Sequence, residues 1–399
     1  MSKSWPMVKL GEVVTQALRG TEPMPGTAYR QIGVKLWGEG AYERETIDGS
    51  QTKYAQLFRA ETGDIIVNKI WARNGSVAVV PEALDGCFGS GEFPMFTPDP
   101  AKLDSRWMHW ITKTRDFWEQ CDEKSRGTSG KNRIKPHQFL SVEIPLPPLA
   151  EQRRIVARIE QLAEQIHEAK RLRKEAAEEA EAMMASEANA IFTSDMAHTW
   201  KRLILDDIAD IRAGVTLGRR LTGDTILLPY LRVANVQDGY LDLTEIKEVE
   251  VYVSEAEKWS LQSGDILLTE GGDWDKLGRG TIWRNEIENC IHQNHVFRVR
   301  ALVKTVTPEF LAKQISSPVG KAYFQSASKQ TTNLASINQR QLKAFPVLCP
   351  PLPEQRRIVA ELDALQAEVD GLKRLQAETS AELDGLLPAI LDRAFKGEL

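Results

Sequence analysis

Cysteine is scarce in this 399-residue chain, and what there is lies scattered: Cys87, Cys121, Cys290 and Cys349 form no CxxC pair and have no histidine pair at zinc-finger spacing. That excludes a cysteine zinc site and reads as free thiols in a reducing cytosol. Long apolar runs are missing too. The opening MSKSWPMVKLGEVV lacks the apolar core of a signal peptide, and no stretch approaches a membrane span, so a cytoplasmic protein with no membrane partner is expected. The motifs of nucleotide chemistry are also absent. No GxGxxG opens a helix after a strand. Both Pro-Pro pairs run on into leucine, so the Asn/Asp-Pro-Pro-aromatic motif expected of an exocyclic-amine methyltransferase does not occur. SRGTSGKN misses a P-loop at its first glycine (Ser125) and its final hydroxyl (Asn132). EKSRGT has no second carboxylate at a nuclease spacing. His292 and His295, three apart, would face opposite sides of a strand and read as polar residues of a loop. No catalytic residue and no metal ligand can be named.

Excess charge is small. Asp and Glu number 56 against 51 Lys and Arg, a net charge of −5 that argues against indiscriminate binding to nucleic acid or anionic membrane. Sequence-specific DNA binding needs only local basic patches. The length suggests two or three domains, and the 42% apolar share suffices for real cores.

What the chain does contain is a repeat. Residues 147–157 read PPLAEQRRIVA and residues 350–360 read PPLPEQRRIVA, ten of eleven positions identical at a spacing of 203. The same spacing aligns Leu162 with Leu365, Lys170–Leu172 with Lys373–Leu375, and Phe192 with Phe395. Upstream the match is fainter. GDIIV at Gly63 parallels GDILL at Gly264, YRQIGV at Tyr29 parallels YLRVANV at Tyr230, and SRGTSG at Ser125 parallels SKQTTN at Ser328. A duplicated unit of about 200 residues follows.

The well-kept part of each copy reads as a helix. The Pro-Pro pair forces an extended lead-in, and Glu151 or Glu354 suits the first turn. Ala150 to Phe192 contains neither Gly nor Pro and would span roughly 65 Å. Apolar residues recur at steps of four and three: Ile155, Ile159, Leu162 and Ile166 in the first copy, and Ile358, Leu362, Leu365, Val369, Leu372, Leu383 and Leu386 in the second. That is a helix–helix seam. Arg173, Glu187, Gln376 and Thr379 weaken it, and Pro388 is expected to kink the second helix. Each copy supplies the other's partner: a pseudo-twofold would lay the two helices antiparallel, with the two globular domains at opposite ends of a shared rod.

The diverged parts mix short β-type runs (DIIVNKI, SVAVVP, DILLTE, HVFRVR) with helical stretches at RWMHWITKTRDFWEQC and TPEFLAKQISSPVGKAYF. The expected fold class is α+β. The expected segments are a globule at 1–148, a helix at 149–193, a second globule at 194–351 and a second helix at 352–399.

Two aligned acid-free stretches could contact DNA. One carries Arg126, Thr128, Ser129, Lys131, Asn132, Arg133 and Lys135. The other carries Lys321, Lys329, Gln330, Thr331, Thr332, Asn333, Arg340 and Lys343. Loops after the two GD strands add Lys69, Trp71, Arg73 and Asn74, and Trp274, Lys276 and Arg279, with Glu92 and Gln293 as weaker candidates. Solvated polar loops and core-packed tryptophans are the plain alternatives.

The twice-repeated PPLxEQRRIVA opening a long helix, the GD(I/L) strands, the Ser-x-x-Thr loops and the closing LLPAILDRAFKGEL resemble the specificity subunits of type I restriction–modification systems. The resemblance covers essentially the whole chain. It implies two target recognition domains, each reading half of a bipartite double-stranded DNA site, with helices that serve as ruler and platform. Two methylation subunits would bind S-adenosylmethionine and flip out an adenine. Restriction subunits would use ATP and Mg, and this chain would bind no cofactor. A coiled-coil scaffold without DNA affinity remains the alternative.

Overall fold

The computed structural model describes residues 5–125, 132–272, 274–302, 304–330 and 335–399, with the backbone alone at 275 and 329–330. The chain forms two compact units. Met1–Leu172 with Ala377–Leu399 make the first, and Arg173–Gln376 make the second. A helix Leu149–Thr193 passes from the first unit into the second, and Leu352–Glu378 with Ser380–Phe395 lead back.

The two units share one plan. The first holds an antiparallel four-stranded sheet ordered Val14–Ala17, Met95–Pro98, Ile65–Val67, Val77–Val79. The second holds Ala209–Ala213, Val296–Ala301, Ile266–Thr269, Gly280–Ile282 in the corresponding order, again antiparallel. Beside each lies a sheet with one parallel pairing, Ala28–Val34 on Phe88–Gly89 and Thr225–Leu231 on Ile291–His292. The GD runs are unbroken apolar stretches because both faces of their strands are covered. Ile65 and Val67 enter one core while Ile66 enters another, and Ile266 and Leu268 part from Leu267 in the same way. The helical stretches fold as Ser105–Ile111 and Arg115–Ser125, and as Pro308–Ser316 and Pro318–Ala327. The duplication read from the sequence is a duplication of fold.

Within each unit the long helices run antiparallel. In the first, Arg154 Nη2 donates to the Leu399 carbonyl at 2.9 Å and Lys170 reaches Asp384. In the second, Lys373 meets Glu181, and Gln376 Nε2 donates to the Arg173 carbonyl at 3.0 Å while Arg173 donates back to the Gln376 carbonyl. Arg173 and Gln376 occupy the same position of the two repeats, so residues that weaken the apolar seam make a reciprocal polar joint there.

The seam residues divide by depth. Ile155, Ile159, Ile358, Leu362 and Val369 are buried, while Leu162, Ile166, Leu365, Leu372 and Leu383 are half-buried. Leu386 departs from the expectation: it is 45% exposed, and Leu387 packs against the core in its place. The helix is interrupted at Thr379 and restarts at Ser380, and Ser380–Phe395 continues through Pro388. Accordingly, Leu386→Gln should change stability by less than about 0.5 kcal/mol. Leu387→Gln should cost roughly 1–2 kcal/mol in a denaturant titration; equal losses would contradict the phase seen here.

Candidate nucleic-acid interface

Each GD motif is a turn that anchors a strand. Gly63 and Gly264 take φ of +89° and +94°, a region open to glycine. The next aspartate is buried and caps the turn: Asp64 accepts from the Glu61 amide at 2.9 Å and Asp265 from the Gln262 amide at 2.7 Å. The buried charges are balanced differently. Asp64 pairs with Arg19 and accepts from Thr97 Oγ1 at 2.8 Å, whereas Asp265 takes a two-pronged contact from Arg300 at 2.6 and 2.7 Å. The acids of the GD motifs are structural.

The strand so anchored ends in a loop bearing a tryptophan. In the first unit Asn68 Oδ1 accepts from the Ile70 amide at 3.1 Å and turns the chain into Lys69–Gly75. Trp71 is 44% exposed there and Trp274 in the second unit 43%, so both are surface residues rather than core. The Arg73 guanidinium lies 5.7 Å from the Trp71 ring centre. A left-handed glycine closes each loop, Gly75 (φ +76°) against the Trp118 ring and Gly278 (φ +74°) against the Phe324 ring, where no Cβ would fit.

Three segments converge at each loop through the same backbone bonds. In the first unit the Lys69 amide donates to the Glu92 carbonyl (3.1 Å), and the Ile134 amide donates to the Lys69 carbonyl (2.9 Å). In the second the Glu270 amide donates to the His295 carbonyl (3.0 Å), and the Ile337 amide to the Glu270 carbonyl (2.8 Å). The side chains on this shared junction differ in charge. Lys69 and Arg133 flank Glu92 at 3.7 and 3.1 Å, while Glu270 holds the His295 ring. The junction thus brings together Lys69, Arg73, Asn74, Asn132 and Arg133 in one unit. In the other it gathers Trp274, Lys276 and the short strand Lys329–Gln330, which pairs with Ala335–Ser336, while the half-buried Gln293 bridges instead to Val215 and donates its amide to the Leu231 carbonyl. Arg126, Thr128, Ser129, Lys131, Thr331, Thr332 and Asn333 lie outside the described residues.

Some expected cations are engaged within the protein. Arg279 donates to Gln237 Oε1 at 3.1 Å and to the Val233 carbonyl at 3.4 Å, a structural tie rather than a free contact. Lys321 pairs with Asp238 and Lys343 with Asp206, acids from distant segments. Arg340 is exposed on the short helix Gln339–Lys343, with no ionic partner among the described residues.

One histidine also corrects the sequence reading, while His295 sits in an exposed turn as expected. His292 is buried in a strand, with Nδ1 2.7 Å from the Val296 carbonyl, and burial pushes its pKa from 6.5 down to about 4. Among the described residues no three His, Cys, Asp or Glu side chains gather as metal ligands, and no helix is long and apolar enough to cross a membrane. The unfolded chain takes up the His292 proton first as pH falls. The stability due to its neutral form is complete above pH 6.5 and is lost between 6.5 and about 4. The loss should reach about 3 kcal/mol at the acid end, and His292→Gln should flatten that part of a stability–pH curve.

Compared with known proteins, residues 2–176 and 197–379 match the family model described as the type I restriction modification DNA specificity domain. The EcoKI specificity subunit of Escherichia coli K12 is 27% identical over 75% of this chain and 67% of its own length. The StySPI specificity subunit of Salmonella potsdam is 26% identical over 74% and 66%. The matched stretch thus spans about two thirds of those relatives. The HsdS subunit of Thermoanaerobacter tengcongensis superposes with a TM-score of 0.63 at 26% identity, covering 100% of this chain and 98% of that one. A chain from a study of complex assembly in the type I R-M system shares the fold with a TM-score of 0.72 at 24% identity, covering 100% and 99%. The matched regions take in both repeats and most of the chain, and the chain belongs to the type I restriction–modification DNA specificity family as a specificity subunit.

Proposed function

We propose that this chain reads an asymmetric, bipartite double-stranded DNA target, one half-site per unit, and holds two methylation subunits and restriction subunits in register with it. The observation that carries this is the shared junction with unlike side chains. One backbone scaffold presents Lys69, Glu92 and Arg133 in the first unit and Glu270 with His295 in the second. Donors and acceptors so different cannot read the same bases. S-adenosylmethionine, ATP and Mg belong in this reading to the partner subunits, where the catalysis lies. Membership of the specificity family, together with the surface cations and tryptophans of the loops, favours it over a scaffold without DNA affinity.

The test is to map methylated adenines in cells expressing the methylation subunit with and without this chain. A single split motif that disappears with the chain is expected, and unaltered methylation would overturn the reading. Lys69→Glu should then relax or change the accepted bases in one half of the motif and leave the other half intact. Its effect should be about 1–3 kcal/mol of discrimination at the affected position.

A further inference from the structure

In each unit the most exposed aromatic among the described residues is one that no motif marks. In the first, the hairpin between Ala28–Val34 and Ala41–Asp48 has Trp37 at its tip, 58% exposed. In the second, the tight turn closed by the Val236–Leu241 bridge ends in Tyr240, 61% exposed. The two lie in the corresponding connection of each unit, Trp37 between Ala28–Val34 and Ala41–Asp48 and Tyr240 between Thr225–Leu231 and Lys247–Tyr252, although the sequences around them (LWGEG and QDGYL) share little.

The first tip is fastened to the tryptophan loop of its unit, and the second to the residues that directly follow its loop. The Trp37 amide donates to the Asn74 carbonyl at 2.7 Å and the Gly38 amide to the Gly75 carbonyl at 3.1 Å. In the second unit the Gly239 amide donates to the Gly280 carbonyl at 2.9 Å, and Arg279 clasps Gln237. Trp37 itself has φ +57°, a conformation a bulky residue adopts only when its surroundings impose it. Its ring meets Trp118 edge-on at 6.1 Å and is otherwise open. A strained backbone that turns a large ring to solvent, in a tip bonded to the loop that carries Trp71 and Arg73, is costly in a monomer without a contact to make. Two loops that diverged in everything but an exposed ring point to something both units touch, and in the reading above that is the duplex itself.

We infer that Trp37 and Tyr240 are aromatic DNA contacts, each pressing its ring against a base step of the half-site read by its own unit. This inference rests on the DNA-reading function proposed above. An aromatic or apolar wedge partly unstacks the step it enters, and a ring stacked on a base contributes binding that truncation removes. These positions would therefore favour easily unstacked steps at places where no hydrogen bond reads the base.

The test uses the full chain assembled with its methylation subunit and a duplex carrying the mapped target, with 2-aminopurine placed at successive steps. Trp37→Asn removes the ring while keeping a residue that tolerates positive φ. Tyr240→Ala removes the other ring, and Tyr240→Phe retains it. Each ring-removing variant should weaken duplex binding roughly 10- to 100-fold and abolish the 2-aminopurine signal in one half-site only, a different half for each. Tyr240→Phe should keep both. Unchanged affinity and signal in both variants would overturn the inference. So would loss of methylation-subunit binding measured without DNA, which would make the rings a protein contact. A wild-type complex that prefers no duplex sequence would refute the DNA-reading function itself. Melting temperatures control for folding; should Trp37→Asn melt early, the Tyr240 pair decides alone.

Discussion

Replacing Gln152 by leucine is expected to lower the stability of the first unit by about 4 kcal/mol. Gln152 belongs to the EQRR motif, yet it is fully buried. Its Oε1 accepts from the Asp104 amide at 2.9 Å, and its Nε2 donates to the carbonyls of Lys102 and Pro147, both at 2.8 Å. It locks the start of the long helix to the loop before Ser105–Ile111 and to the Pro-Pro lead-in. Leucine fills the space but leaves one buried amide and two carbonyls without partners. Gln355 repeats the lock, accepting from the Thr307 amide at 2.9 Å and donating to the carbonyls of Thr305 at 3.0 Å and Pro350 at 2.9 Å. Gln355→Leu should act alike in the second unit. In a thermal melt either change should appear as a drop of roughly 10 °C. Arg154→Ala breaks only exposed contacts, the pair with Glu151 and the hydrogen bond to the Leu399 carbonyl, and should cost about 1 kcal/mol or less. A leucine variant as stable as the parent would show that the motif is kept for its surface and not for this lock.

The second large effect concerns the buried carboxylate of the second GD motif. Arg300→Ala should cost about 3–5 kcal/mol, because it leaves the buried Asp265 without its countercharge. The Gln262 amide would remain its sole hydrogen-bond donor of those seen here, and one amide does not replace a guanidinium. Adding Asp265→Asn to Arg300→Ala should recover part of the loss, since the buried charge is then gone. Hydrogen exchange should place the weakening around Ile266–Thr269, the strand that the turn anchors. In the first unit the position equivalent to Arg300 is Thr97, and the countercharge comes instead from Arg19. Thr97→Val should therefore cost less than Arg300→Ala. A double variant no better than the single would mean that Arg300 acts through packing and not through charge.

Much of the fold was readable from residue order. The repeat of 203 and the helix Leu149–Thr193 followed from patterns that recur every few residues, as did the strands at both GD motifs. The exposed tryptophans of the loops were named, although their exposure had to be seen. Other features were hidden for identifiable reasons. In the last helix Leu387, not Leu386, packs against the core, a choice between neighbouring leucines that periodicity alone does not make. The acid-free stretches proved only locally acid-free, since Glu92, Asp206 and Asp238 reach their cations from elsewhere in the chain. Trp37 and Tyr240 carry no local signal because their neighbours diverged; only the matching strands on either side place them in corresponding connections.

The sequence by itself determined the duplication, the helices, the strand cores and the family, since each is written in short-range periodicity or in identity between the two copies. The tertiary structure decided which charges are already neutralised, which polar side chains are buried as locks, and which rings are left to solvent. Those properties depend on segments far apart in the chain meeting in space, and burial and Coulomb attraction follow distance, not sequence order.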